Sequence, residues 1–295
     1  MKKYFKSIAR LPIRFKTLPV WKSFKTGLIC WASYFLFCSN TLATVILYVY
    51  HFPDFYVASD SLVRGDSGGI SFTTEKLFKV SDTCWVSIAG FYGGVITNST
   101  GKRIPRFLPH DLKTICETTY STNTTLQTEI ENILSQFAPK YHESTAVEAA
   151  ATNLETRLTF AGQDPATDLF FLSSYLFNGT NQVLREVPFT DTTRAHPPYI
   201  GCVGQEKFFD ALIVPLTTQP TADDVLSPYR SDEFKKAIAD IYSGKPISEQ
   251  RVKDFILEFL RLGKQLAAKL GLDTRPISEP FRILRITPQG TDQLQ

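Results

Sequence analysis

From Thr44 to Tyr50 the chain is a breaker-free run of β-formers, Val45, Ile46, Leu47 and Val49 among them, and this predicts a strand. His51-Phe-Pro-Asp54 reads as a turn, because Pro53 has no amide to continue a ladder, and Phe55 to Ser59 returns as the partner. Gly65-Asp-Ser-Gly-Gly69 interrupts the pattern, and strand-like runs resume at Lys76 to Val80 and Cys84 to Ala89, giving an antiparallel opening. The period then changes. Leu112, Ile115, Cys116 and Thr119 share one helical face, and Leu126, Ile130, Ile133, Leu134 and Phe137 form a second stripe after Thr124, with Gln127 placed for a capping box. Asp168 to Tyr175 and Gln182 to Val187 read as a hairpin around Asn178-Gly179, and Tyr199 to Leu212 as a glycine turn into a helix. Arg251 to Leu270 keeps a helical period through Val252, Phe255, Ile256, Phe259, Leu266, Ala267 and Leu270, between Ser248 and Gly271, and Phe281 to Ile286 reads as a last strand. Strands, helices, strands, helices, strand is an α+β order suited to two packed antiparallel sheets with helices outside. Residues 91–110, 138–165 and 214–250 are expected to be extra loops, and 291–295 a tail.

Charge separates the beginning of the chain from the rest. Residues 1–53 carry eight Lys and Arg and no acid, which leaves 24 basic against 29 acidic residues beyond them, a body net acidic by five despite the overall +3. That balance argues against nucleic acid as a partner. Thr26 to Tyr50 holds no charged side chain, so a basic region (1–25) is followed by an apolar segment (26–43). Such a segment fits a signal-peptide core or a single-pass anchor with the domain outside the cytoplasm. An acid-free leader also suits an organellar presequence. Thr41-Leu42-Ala43 has the small-x-small pattern of a signal-peptidase site, and cleavage there would make Thr44 the first residue of the mature chain. Phe37 before Cys38 is too bulky for a lipid-attachment site.

The five cysteines, Cys30, Cys38, Cys84, Cys116 and Cys202, include no CxxC pair and leave three in the body, which excludes a disulfide framework or zinc spacing and predicts buried thiols. His110, His142 and His196 sit in no metal spacing, and there is no phosphate-cradling loop, so neither metal nor cofactor is expected. Gly65-Asp-Ser-Gly-Gly69 spells the nucleophile segment of chymotrypsin-like proteases, but only His51 precedes it, sixteen residues away, which leaves no room for the rest of a triad. A glycine-rich hairpin turn accounts for it, and Ser67 is not expected to be catalytic. Sequons at Asn98, Asn123 and Asn178 suggest surface loops.

One constellation remains. Sixteen residues separate Thr44 from Asp60, sixteen more lead to Lys76, and fourteen more to Gly90, the end of Trp85-Val-Ser-Ile-Ala-Gly90. This order of residues on successive strands resembles the start of the proteasome-type N-terminal-nucleophile hydrolases, the proteasome β subunits and their simpler bacterial relatives. The likeness extends over most of residues 44–290, through the mid-chain hairpin, the glycine-containing helix entry, and the closing helix and strand. It implies a four-layer αββα sandwich and hydrolysis of an amide bond, in a peptide or a small amide. Thr44, freed by leader removal, would be the nucleophile with its own α-amine as base; Lys76 would favour the deprotonated oxygen, Asp60 would hold Lys76, and the Gly90 amide would bind the oxyanion. The family's late Asp-x-x-Ser-Gly-Gly segment has no full counterpart, and Asp273 and Ser278 are its stand-ins. The family has a polar residue where this chain has Leu62, and its threonine usually follows glycine, where Ala43 stands here. The resemblance also implies a homo-oligomer. The alternative reading is a membrane-anchored module that keeps this fold without activity.

Overall fold

A computed structural model describes residues 45–51, 53–64, 71–93, 95–97, 100–119, 125–146, 154–164, 169–178, 183–190, 198–217, 224, 226–272 and 277–295. These belong to one unit, Ser39–Gln295. It is a mixed α+β body with two five-stranded antiparallel sheets.

The first sheet begins with a tight hairpin of β1 (Ile46–His51) and β2 (Asp54–Ser59), in register from Ile46 opposite Ser59 to His51 opposite Asp54. Pro53 stands between the strands, where no ladder amide is required. The late strands β12 (Tyr199–Val203), β13 (Arg282–Thr287) and β14 (Gly290–Gln293) complete the order β12-β1-β2-β13-β14. The second sheet runs β11-β10-β9-β6-β5, from β5 (Leu77–Ser81), β6 (Cys84–Gly90), β9 (Thr156–Asp164), β10 (Leu169–Phe177) and β11 (Val183–Thr190). Two short hairpins, β3 (Leu62–Arg64) with β4 (Ser71–Thr73) and β7 (Val95–Thr97) with β8 (Arg103–Pro105), stand apart from both. The first of them flanks Gly65–Gly69, which lies outside the described residues.

Alternation sorts side chains between layers. Ile46, Tyr48, Tyr50, Phe55, Val57, Leu284 and Ile286 of the first sheet share a core with Trp85, Ala89, Ala161, Phe170 and Leu172 of the second. A thread of hydroxyls crosses that core, from Tyr48 to Ser87 at 2.5 Å, with Ser87 donating to the Thr159 carbonyl. The opposite face of the second sheet, with Val86, Ile88, Leu158 and Phe160, packs on helices α1 (Leu108–Thr119) and α2 (Leu126–Ala146). Helices α3 (Glu206–Thr217), α4 (Asp232–Tyr242) and α5 (Glu249–Leu262) pack on one another through Phe208, Phe209, Phe234, Phe255 and Phe259, and α5 reaches β13 through Glu249 and Arg285 at 2.7 Å.

Several sequence expectations need correction. The segment 138–165 is not a loop: α2 continues to Ala146, and β9 lies at the centre of the second sheet. Segment 214–250 contains α4, and segment 91–110 holds the β7–β8 hairpin and the first turn of α1. Gly290–Gln293, expected to fall almost wholly in a tail, pairs with β13. The α2 cap is Thr125, whose hydroxyl accepts from the Thr128 amide, while Gln127 turns to Glu131; Thr124 lies outside the described residues. The long helix begins at Glu249, capped by Ser248, and gives way to a π-type turn over Gly263–Ala267 before it reaches Leu270.

Within α3, Pro215 removes the amide that the Ala211 carbonyl would otherwise accept. Arg230 supplies the missing donor, Nη2 to Ala211 O at 2.6 Å, also donates from Nε to Leu212 O at 2.9 Å, and is itself neutralised by Asp224.

The body thiols Cys84 and Cys116 are buried, as the sequence suggested, whereas Cys202 on edge strand β12 is only partly so. Burial pushes the Cys116 thiol from 9.0 up to about 12. Its folded value lies above the unfolded one, so this contribution is complete below the unfolded value and lost as pH rises through the window up to the folded one. Urea midpoints should therefore fall above pH 9. Cys116→Ala should remove a slope of about 1.4 kcal/mol per pH unit; unchanged steepness in that variant would refute the assignment.

Candidate active site

Asp60 follows the last residue of β2 and Lys76 precedes the first of β5, so the two belong to different sheets. Their side chains nevertheless meet, with Lys76 Nζ 2.7 Å from Asp60 Oδ1 and both side chains fully shielded from solvent. The same carboxylate oxygen accepts the Val45 amide at 2.9 Å, and the Asp60 amide returns a bond to the Val45 carbonyl at 3.2 Å. One oxygen thus ties together the residue that enters β1, the end of β2 and the start of β5.

The pair survives burial because each charge has its partner at charge-assisted distance. Burial pulls the Lys76 pKa down, while the charge and hydrogen bond of Asp60 oppose that shift. Among the described residues, Tyr92 also faces the ammonium, with its ring centroid 5.8 Å from Nζ. The Lys76 carbonyl accepts the Ile88 amide at 3.0 Å, which anchors the lysine backbone to β6.

Gly90 ends β6 with φ +100. A Cβ there would lie 2.2 Å from the Glu155 carbonyl oxygen, and that carbonyl accepts the Phe91 amide at 2.7 Å. Both the backbone conformation and the close approach demand glycine, independently of any role for its amide.

Of the residues singled out in the sequence, Asp60 and Lys76 are brought together, and Gly90 lies two positions beyond the residue that pins Lys76. Thr44 and Asp273 lie outside the described residues, as does Ser67. Ser278 contributes backbone: its carbonyl accepts the Ser61 amide at 3.2 Å and the Ser61 hydroxyl at 3.3 Å, which fixes the chain beside Asp60. The Ser278 hydroxyl donates to the Glu279 carbonyl. Among the described residues Ser278 thus acts on the chain beside Asp60 through its backbone. Sequence reading missed Tyr92, whose signal is an aromatic two residues past a glycine, a pattern without a period.

Among the described residues no cluster of His, Cys, Asp and Glu is placed to hold a metal ion, and no helix is long and apolar enough to cross a membrane. The apolar segment 26–43 falls outside them. No family model matches the chain, and no curated protein matches it.

A shielded ammonium paired with a carboxylate that also accepts the Val45 amide can stabilise negative charge developing on an oxygen nearby. In a site closed to water such a charge acts far more strongly than at a surface.

Proposed function

We propose that the chain is an N-terminal-nucleophile hydrolase of the proteasome type, a four-layer αββα sandwich that cleaves an amide bond, in a peptide or a small amide, with Thr44. The observation that carries the reading is the pair of hydrogen bonds accepted by Asp60 Oδ1, from Lys76 Nζ at 2.7 Å and from the amide of Val45 at 2.9 Å. Thr44 precedes Val45 by one peptide bond, so the carboxylate that holds the lysine also holds the residue next to the nucleophile. Further support comes from the two sheets that share one core and from Gly90, whose conformation and close approach admit only glycine.

In this reading leader removal leaves Thr44 with a free α-amine. The amine titrates near ~8 and takes the hydroxyl proton. The oxygen attacks the amide carbonyl, and the carbonyl oxygen gains the negative charge. The proton then passes to the leaving nitrogen as the C–N bond breaks, and water cleaves the resulting ester to free Thr44. Lys76 lowers the energy of the alkoxide-like oxygen, and Asp60 keeps Lys76 charged and aimed. The body acts outside the cytoplasm, exported after leader cleavage; a chain still tethered by residues 26–43 would lack the free amine and belongs to the inactive anchored alternative.

Two measurements on natively expressed protein test this. Intact mass should show a chain that begins at Thr44, and Thr44→Ala should lower turnover on a peptide library at least about a thousand-fold. Retention of residues 1–43 together with undiminished turnover in that variant would refute the nucleophile. A retained leader with no turnover at all would favour a binding module of the same fold.

A further inference from the structure

Tyr92 is held on both sides. Its hydroxyl donates to the Ile88 carbonyl at 3.1 Å, and its own carbonyl accepts the Leu108 amide at 2.8 Å, at the start of α1. Ile88 is also the residue whose amide pins the Lys76 carbonyl. A single residue of β6 therefore sets both the tyrosine ring and the lysine backbone, and with them the 5.8 Å between ring centroid and Nζ. Tyr92 is 6% exposed and Lys76 1%, so water does not compete for this contact.

We propose that Tyr92 is a positioning residue for Lys76, one that holds the ammonium against Asp60 with the negative face of its ring. An aromatic face attracts a cation most strongly where both are desolvated. Here Asp60 is the one charge that acts on Lys76 among the described residues, on the side of β2. The ring supplies a second attraction, without a second carboxylate whose repulsion would disturb the first. It helps the lysine stay protonated where burial alone would neutralise it. The purpose of this arrangement rests on the nucleophile reading above, but the contact itself can be tested apart from it.

The experiment uses the full chain with 13C at the lysine Cε positions, titrated by NMR, the Lys76 signal being assigned by its loss in Lys76→Met. Two proteins are compared, Tyr92→Phe and the same position carrying pentafluorophenylalanine, a ring of nearly the same shape whose face repels cations. The Lys76 midpoint should lie about one pH unit lower in the fluorinated protein. Both substitutions lose the hydroxyl's bond to the Ile88 carbonyl alike and keep a six-membered ring in the same place, so a ring that merely fills space would leave the two midpoints together. A difference under about 0.3 units, or a rise on fluorination, overturns the proposal. Should Thr44→Ala leave turnover untouched, the nucleophile fails, while this titration still decides the contact.

Discussion

Replacing Asp60 by asparagine is expected to cost the folded state about 3–5 kcal/mol at neutral pH, read from urea unfolding. The side chain keeps its shape and can still accept the Val45 amide, so the loss isolates the charge. Lys76 Nζ, fully shielded and 2.7 Å from Oδ1, would be left without the attraction that offsets its desolvation. The lysine answers by titrating lower still. Its folded pKa then lies well below the unfolded value near ~10.4, so between the two the unfolded chain binds more protons. Stability of the variant should accordingly rise as pH rises through that window, a dependence of opposite sign to that from Cys116. Adding Lys76→Met should recover most of the loss, because two uncharged side chains leave no orphaned ion. A cost below about 1 kcal/mol for Asp60→Asn would mean that the pair is wet and contributes as little as a surface salt bridge.

Gly90→Ala should cost about 3 kcal/mol or more, and the protein is expected to express poorly or melt early. Two effects add. At φ +100 an L side chain is strained wherever it sits, and here the added carbon meets the Glu155 carbonyl oxygen at 2.2 Å. That carbonyl cannot retreat freely, since it accepts the Phe91 amide, while Thr156 Oγ1 donates to the Phe91 carbonyl. Lost turnover in this variant would say nothing about an oxyanion role for the amide unless circular dichroism and the thermal midpoint were unchanged. A variant that melts with the wild type would refute the packing described at the end of β6.

The opening strands were legible because they are the simplest pattern in the chain, and the meeting of Asp60 with Lys76 was anticipated by the resemblance these residues carry, not by their spacing alone. Strand β9 was not. Arg157, Thr159 and Gln163 break its apolar run, and the alternation is confined to Arg157-Leu158-Thr159-Phe160, too short to separate a strand from an insertion; the polar side chains are buried all the same. Helix α4 was legible in principle, with Ser231 as cap and Phe234, Ala237, Ile238 and Ile241 on one face, but it lay in a stretch taken for an insertion. Strand β14 has only polar residues and glycine, and it forms because β13 offers an edge. Tyr92 depends on three separate anchors, on β6, α1 and Lys76, which no local window of sequence contains.

The Asp60–Lys76 link joins the tail of one sheet to the head of the other. Neither half can hold a shielded ion alone, so on the way to the native state the pair comes together only as the sheets dock and expel water. A chain caught before that step carries the residues but no assembled centre. Whatever this centre does therefore requires both sheets to be docked on each other.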